Sequence, residues 1–376
     1  MSTNLFIELL QVALGTRDSL SRAPSVAEWR DVLTESHRQA VLGIILCGIE
    51  KIPKEQQPSQ DILFRWIGLA IQIEQSNTRT SKACKEVVSQ FEKDGFDACV
   101  LKGQANHRYY PKEMGKRRNC GDVDIWVVPR EGVRKKNADV RRVLEYVDAH
   151  WGRTGLCWLH CNFTEQNGVP IEVHFRPSFM NEPCKNRSFL RHFSDIKNST
   201  CCELIDDIEI PALRVDEDVI YQMNHIYRHL LDEGIGLRQI IDYYWLLLTW
   251  KKIHNRSKEE TMTIVSKLGM KRFSGALMFV LREICGMKDD LLLCPASAQD
   301  GQFLLSEIML AGNFGHNDPR MGVLASQTGI KRQLSQAGRR FKRNMRFLTS
   351  YPGEVIWEPF ARMWHFAWKK LQLWRL

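Results

Sequence analysis

Residues 121–128 read GDVDIWVV, in which acidic and apolar positions alternate as in a strand with one polar and one buried face. Successive strand side chains point to opposite faces, so Asp122 and Asp124 project together while Val123 and Ile125 face the other way. The aspartates therefore belong to a polar site and the valine and isoleucine to a core. Two ionised carboxylates this close repel each other unless a cation lies between them. Hard oxygen donors of this kind suit Mg2+ or Mn2+, which in turn binds the phosphates of a nucleoside triphosphate.

Just upstream, FDACVLKG at 96–103 reads as a strand that ends in Lys102-Gly103. Glycine there lets the backbone approach a phosphate, a helix starting after it would aim free amides at the same anion, and Lys102 adds positive charge. Between the two strands, KEMGKRRNC at 112–120 brings Lys116, Arg117 and Arg118 towards the carboxylates. Lys112 and Lys116 read as a solvated basic loop, whereas Arg118, four residues before Asp122, stands equally well as a triphosphate ligand or as part of that loop.

Downstream, CWLHCNF at 157–163 and VPIEVHF at 169–175 read as strands joined by TEQNG, whose Asn167-Gly168 pair suits a tight turn with positive φ. Glu172 and His174 share one face of the last strand. Glu172 is then either a third acid, holding metal or taking a proton from an acceptor, or an edge-strand residue facing water. His160, on the paired strand, either contacts an acceptor with His174 or hydrogen-bonds carboxylates of the sheet.

Around this centre the pattern is helical. Residues 1–78 form a helical preface, 79–212 an α/β core with helices expected over about 76–94 and 131–149, and 213–376 a helical region beginning after Ile210. The expected class is α+β, with a small mixed sheet. In VDEDVIYQMNHIYRHLL, His225 and His229 are four residues apart, but no HExxH or cysteine set completes a metal site. Packing or acceptor contact is the preferred reading for both. Arg238 and Asp242 share a helix face and are expected either to pair or to line the cleft.

The formal charge of +9 points to anionic partners. Eleven scattered cysteines without a CxxC pair argue for reduced thiols rather than a disulfide framework. The first residues lack the flank and apolar run of an export signal and no stretch is long enough to span a bilayer, so the expected location is the cytoplasm. Residues 319–353 contain eight Lys/Arg and no Asp/Glu, and the tail mixes Trp357, Trp364, Trp368 and Trp374 with cations. Nucleic acid or a membrane surface would fit that region, but a core stripe edged by Lys and Arg stems is favoured.

Taken together, LKG, YYP, RNCGDVDIWV and IEVHF resemble the nucleotidyltransferase superfamily of polymerase beta type, in its bacterial branch of uncharacterised nucleotidyltransferases. The resemblance covers roughly residues 80–250. It implies transfer of a nucleoside monophosphate from a triphosphate to a hydroxyl, with Asp122, Asp124 and Glu172 as metal-binding and catalytic acids. Lys102, Gly103, Gln104, Arg118 and Gly121 would bind the nucleotide, and His160, His174, His225, His229 and Arg238 would lie on the acceptor side. Gly103-Gln104 stands where Gly-Ser is usual, and the interval before Asp122 is longer. The rival reading is an inert nucleotide-binding or nucleic-acid-binding protein on the same fold.

Overall fold

The computed structural model describes residues 2–130, 136–165, 167–205, 208–253, 255–315, 318–321 and 329–375. Seven strands form one sheet: β1 (Phe96–Val100), β2 (Val123–Pro129), β3 (Gly155–Leu156), β4 (His160–Thr164), β5 (Pro170–His174), β6 (Thr200–Ile205) and β7 (Ile208–Leu213). Their order across the sheet is β3-β4-β5-β2-β1-β7-β6. The sheet is mixed: β2 runs antiparallel to β1 and parallel to β5, with Asp124 opposite Glu172. β4 and β5 form the expected hairpin, pairing His160 with His174. Of the residues described in its turn, Gly168 takes the positive φ, at +82°.

Alternation along β2 and β5 sorts the residues as expected. Val123, Ile125, Ile171 and Val173 lie in an apolar layer with Val140, Val143, Leu144 and Val147 of the helix Lys136–His150. Trp126 and Leu101 point the other way, into a larger core built by the N- and C-terminal helices. A one-residue slip of β2 would drive Asp124 into the apolar layer, so burial on both faces fixes the register that positions the acids.

Two expectations are corrected, and the sheet gains a hairpin that the pattern does not mark: β6 and β7 close the α/β core at 200–213, before the helix Val215–Asp232 opens the helical region expected from 213. Glu203, Glu209 and Pro211 weaken the strand signal there. Pro211 is tolerated because β7 meets β1 through a single register pair, Val100 with Ala212. The helix expected from about 76 begins at Gln60 and runs unbroken to Lys93, passing the boundary placed at 78. Its apolar rhythm is interrupted by Asn77, which is buried because its amide donates to the carbonyls of Lys116 and Arg118, both at 2.7 Å. Finally, the tail tryptophans are not one core stripe: Trp368 is buried, whereas Trp357 and Trp364 are exposed, and the side chains of Trp374 and Arg375 lie outside the described residues. Residues 131–135 and 322–328, parts of the expected helix at 131–149 and of the basic stretch, also lie outside them. All eleven cysteines are free.

Candidate functional site

β1 ends where the Leu101 amide donates to the Asp124 carbonyl, and Lys102 leads into Gly103 at φ +66°. A side chain on that residue would be strained, and its Cβ would lie 3.5 Å from the Asp122 carbonyl oxygen. The helix expected to follow is a seven-residue 3-10 turn, Gly103–Tyr109. The turn lays Lys102 over the paired acids, with Nζ 3.1 Å from Asp124 Oδ2.

On the other side of Asp124, His174 Nε2 lies 3.0 Å from Oδ1 and 3.6 Å from Glu172 Oε2. His160 Nε2 is 3.5 Å from the same Glu172 oxygen, and the two imidazoles stack with centroids 4.9 Å apart. Burial alone would raise the Asp124 carboxyl, but the Lys102 charge and the His174 hydrogen bond hold it below its ordinary range. Burial likewise opposes a charge on His174, yet its bonds to Asp124 and Glu172 raise it to about 9. Lys102 and an imidazolium at His174 together balance the charge of the carboxylates.

Donor atoms of Asp124, Glu172 and His174 all lie within 4.8 Å of one another, close enough to hold one ion. Asp122, expected in that set, is half-buried at its edge and lines the same cavities. Among the described residues Asp124 Oδ2 accepts no hydrogen bond beyond its contact with Lys102, which leaves a coordination position. The donors suit a hard divalent ion: oxygens alone fit Mg2+, and a nitrogen from His174 shifts preference towards Mn2+. His225 and His229 are not in the group; they pack against each other, with centroids 4.3 Å apart.

Two cavities meet at Asp122, Asp124, Lys102 and His225. The narrow one adds Gly103, Gly121, Arg118, Arg238 and Asp242, so that three cations face three carboxylates. The wider, about 440 Å³, adds Glu172, His174, His160 and His229. Gln104 is buried and lines neither. A separate apolar cavity of about 390 Å³ beside Val127, Val143 and Leu190 includes none of the three acids.

Of the two expectations for Arg238 and Asp242, pairing is replaced, while both side chains line the narrow cavity. Asp242 grips Arg118 in a buried fork, Nε–Oδ1 and Nη2–Oδ2 both 2.6 Å, and accepts from the Tyr110 hydroxyl at 2.6 Å. Arg117 is held by Glu50 and Glu74, and Lys116 by Glu113, so the basic loop is largely neutralised by the protein itself. Arg238 instead donates to the Asn119 carbonyl at 2.9 Å, and among the described residues no carboxylate forms an ion pair with it.

Sequence reading missed Phe314. It holds φ +53°, which a bulky residue rarely adopts, in a loop pressed so tightly on Gly234 and Gly236 that a Cβ there would meet backbone at 3.0–3.2 Å. Its ring lines both cavities, 5.3 Å from the His229 ring and 5.4 Å from the Arg238 guanidinium. The glycines of AGNFG were the only local signal.

Comparison with known families matches residues 25–286, more than half of the chain, to a family described as uncharacterised nucleotidyltransferase. No curated protein matches. Among solved structures, an antigenic nucleotidyltransferase-like protein from Paracoccidioides brasiliensis is similar at 11% identity and a TM-score of 0.32, covering 59% of this chain and 95% of its own.

Proposed function

Because the chain belongs to the uncharacterised nucleotidyltransferase family, we propose that it moves a nucleoside monophosphate from a nucleoside triphosphate to a hydroxyl acceptor. The observation that carries this reading is the convergence of Asp122, Asp124 and Glu172 with Lys102 where a narrow cavity lined by Arg238 opens into a wider one. A divalent ion held by these acids would polarise the α-phosphate and neutralise charge on the leaving group. Lys102 and Arg238 face the polyphosphate. The acceptor oxygen bonds to the α-phosphorus as the bond to the bridging oxygen breaks, and pyrophosphate leaves. The acceptor proton passes to Glu172, which His160 and His174 hold in position. Phe314 offers a ring on which a base stacks, and the wider cavity receives the acceptor.

The test is calorimetric titration of each triphosphate with Mg2+ or Mn2+. Asp122→Asn and Glu172→Gln are the informative variants, since both residues are half-buried and neither carries the buried ion pair with Lys102. Binding by the parent should require metal and fall at least tenfold in Asp122→Asn, and by up to about tenfold in Phe314→Ala through lost stacking. Metal-independent binding, or none by the folded parent, would overturn the proposal.

A further inference from the structure

Among the described residues fifteen large apolar side chains are exposed, and nine of them lie on the last two helices, Gly329–Phe347 and Pro352–Arg375. Such crowding is not the scatter of single exposed hydrophobes normal for a surface. The last helix packs inward through Val355 and Trp368, both buried. Its outward stripe is Ile356, Phe360, Met363, Trp364 and Leu371, spaced at i, i+4, i+7, i+8 and i+15. Those positions fall on one side of a helix. Phe341 and Met345 of the preceding helix, 67% and 52% exposed, add to the apolar surface.

The charge pattern says what covers this surface. Residues 319–376 hold twelve Lys/Arg and two acids, Glu354 and Glu358. Both acids are buried, Glu354 accepting from the backbone of Asn181 and Glu358 from Arg362. The exposed charge of the segment is therefore all positive. Arg320, Arg343 and Arg346 are bonded within the protein, but Lys342 and Lys370 are exposed.

We infer that these two helices dock the protein onto a membrane surface containing anionic lipid, with the aromatic and aliphatic stripe entering the headgroup boundary and the cations meeting lipid phosphates. A second copy of this face would bring like charges together. Single-stranded nucleic acid would use the rings and cations but leave Ile356, Met363 and Leu371 without partners, because aliphatic side chains offer no π-face. A hydrocarbon layer beneath anionic headgroups satisfies both parts of the pattern. No helix among the described residues is long and apolar enough to cross a membrane, so the element lies in the surface plane.

The test is flotation of the full chain with phosphatidylcholine vesicles, with or without roughly a third phosphatidylglycerol. The protein should float with the anionic vesicles and not with the neutral ones. The Phe360→Ser, Trp364→Ser double variant changes two exposed side chains outside the carboxylate site, so it should keep its far-UV circular dichroism and lose vesicle binding by about tenfold or more. Lys342→Glu with Lys370→Glu should weaken binding to the anionic vesicles. The inference is overturned if the parent stays with the lipid-free fraction, or if the Phe360/Trp364 variant floats as well as the parent. It is equally overturned if that variant turns a dimer into a monomer, or abolishes a complex with single-stranded oligonucleotide, while vesicle binding is absent.

Discussion

His174 is where proton and metal compete. Its folded pKa, raised to about 9 from 6.5, means the imidazolium stabilises the metal-free protein fully below about 6.5, and this contribution is lost as pH rises through 9. A ligating imidazole must be neutral, so an ion binding there expels the proton. Mn2+ affinity should therefore rise across the interval from 6.5 to 9, approaching about tenfold per pH unit if one proton is released. Meanwhile the thermal midpoint of the metal-free protein should fall over the same interval. Titration of Mn2+ at several pH values reads the first effect; a flat affinity would place His174 outside the ligand set, leaving it to orient Asp124. At this scale the sequence was informative because each of these side chains sits on a strand whose alternation sets its face. Phe314 escaped notice because nothing local tells a ring held at positive φ from one in an ordinary loop.

The elements are locked together by partners far apart in sequence. The loop before β2 is fixed from below by Asn77 and from the side by Asp242, 124 positions beyond Arg118. Local spacing suggested Arg238 for Asp242 because both lie on one helix face; packing brought a better-aligned fork from another element. Asp242→Ala would strand a buried guanidinium and should cost about 3–5 kcal/mol, measured as a lowered denaturation midpoint. Loss of the exposed Lys82–Glu86 pair, 3.9 Å apart, should cost no more than about 0.5 kcal/mol. Similar losses at the two sites would mean that Arg118 reaches water in solution and is available to a phosphate after all. The same dependence on remote partners explains the hidden continuity of the helix Gln60–Lys93: a buried asparagine reads locally as a break and is legible only once its carbonyl partners are placed.

Across the whole molecule the class, the helix-sheet-helix order and the central acids were legible, since these follow from periodicity and from which face of β2 is apolar. What periodicity does not carry is how the regions share a core. One contiguous cluster runs from Phe6 and Trp29 through Leu101 and Trp126 of the sheet region to Tyr221, Phe273 and Val355. The N-terminal helices, the sheet and the C-terminal helices are thus layers around common side chains, and each would expose a large apolar surface if it opened alone. Unfolding should accordingly occur in one thermal transition. The carboxylate site lies between the sheet and the helix Val215–Asp232, so metal with nucleoside triphosphate at about 100 times the dissociation constant should stabilise the whole by about 2.7 kcal/mol. Scanning calorimetry should show the single peak moving up by a degree or more, with no movement in a variant lacking Asp122 and Glu172 charges. Two peaks of which ligand moves one would mean that the helical layers melt independently of the sheet. The shared cluster makes that costly, because separating the layers would strip Trp126 and Leu101 of the helices that bury them while leaving the acids on a sheet with one bare face.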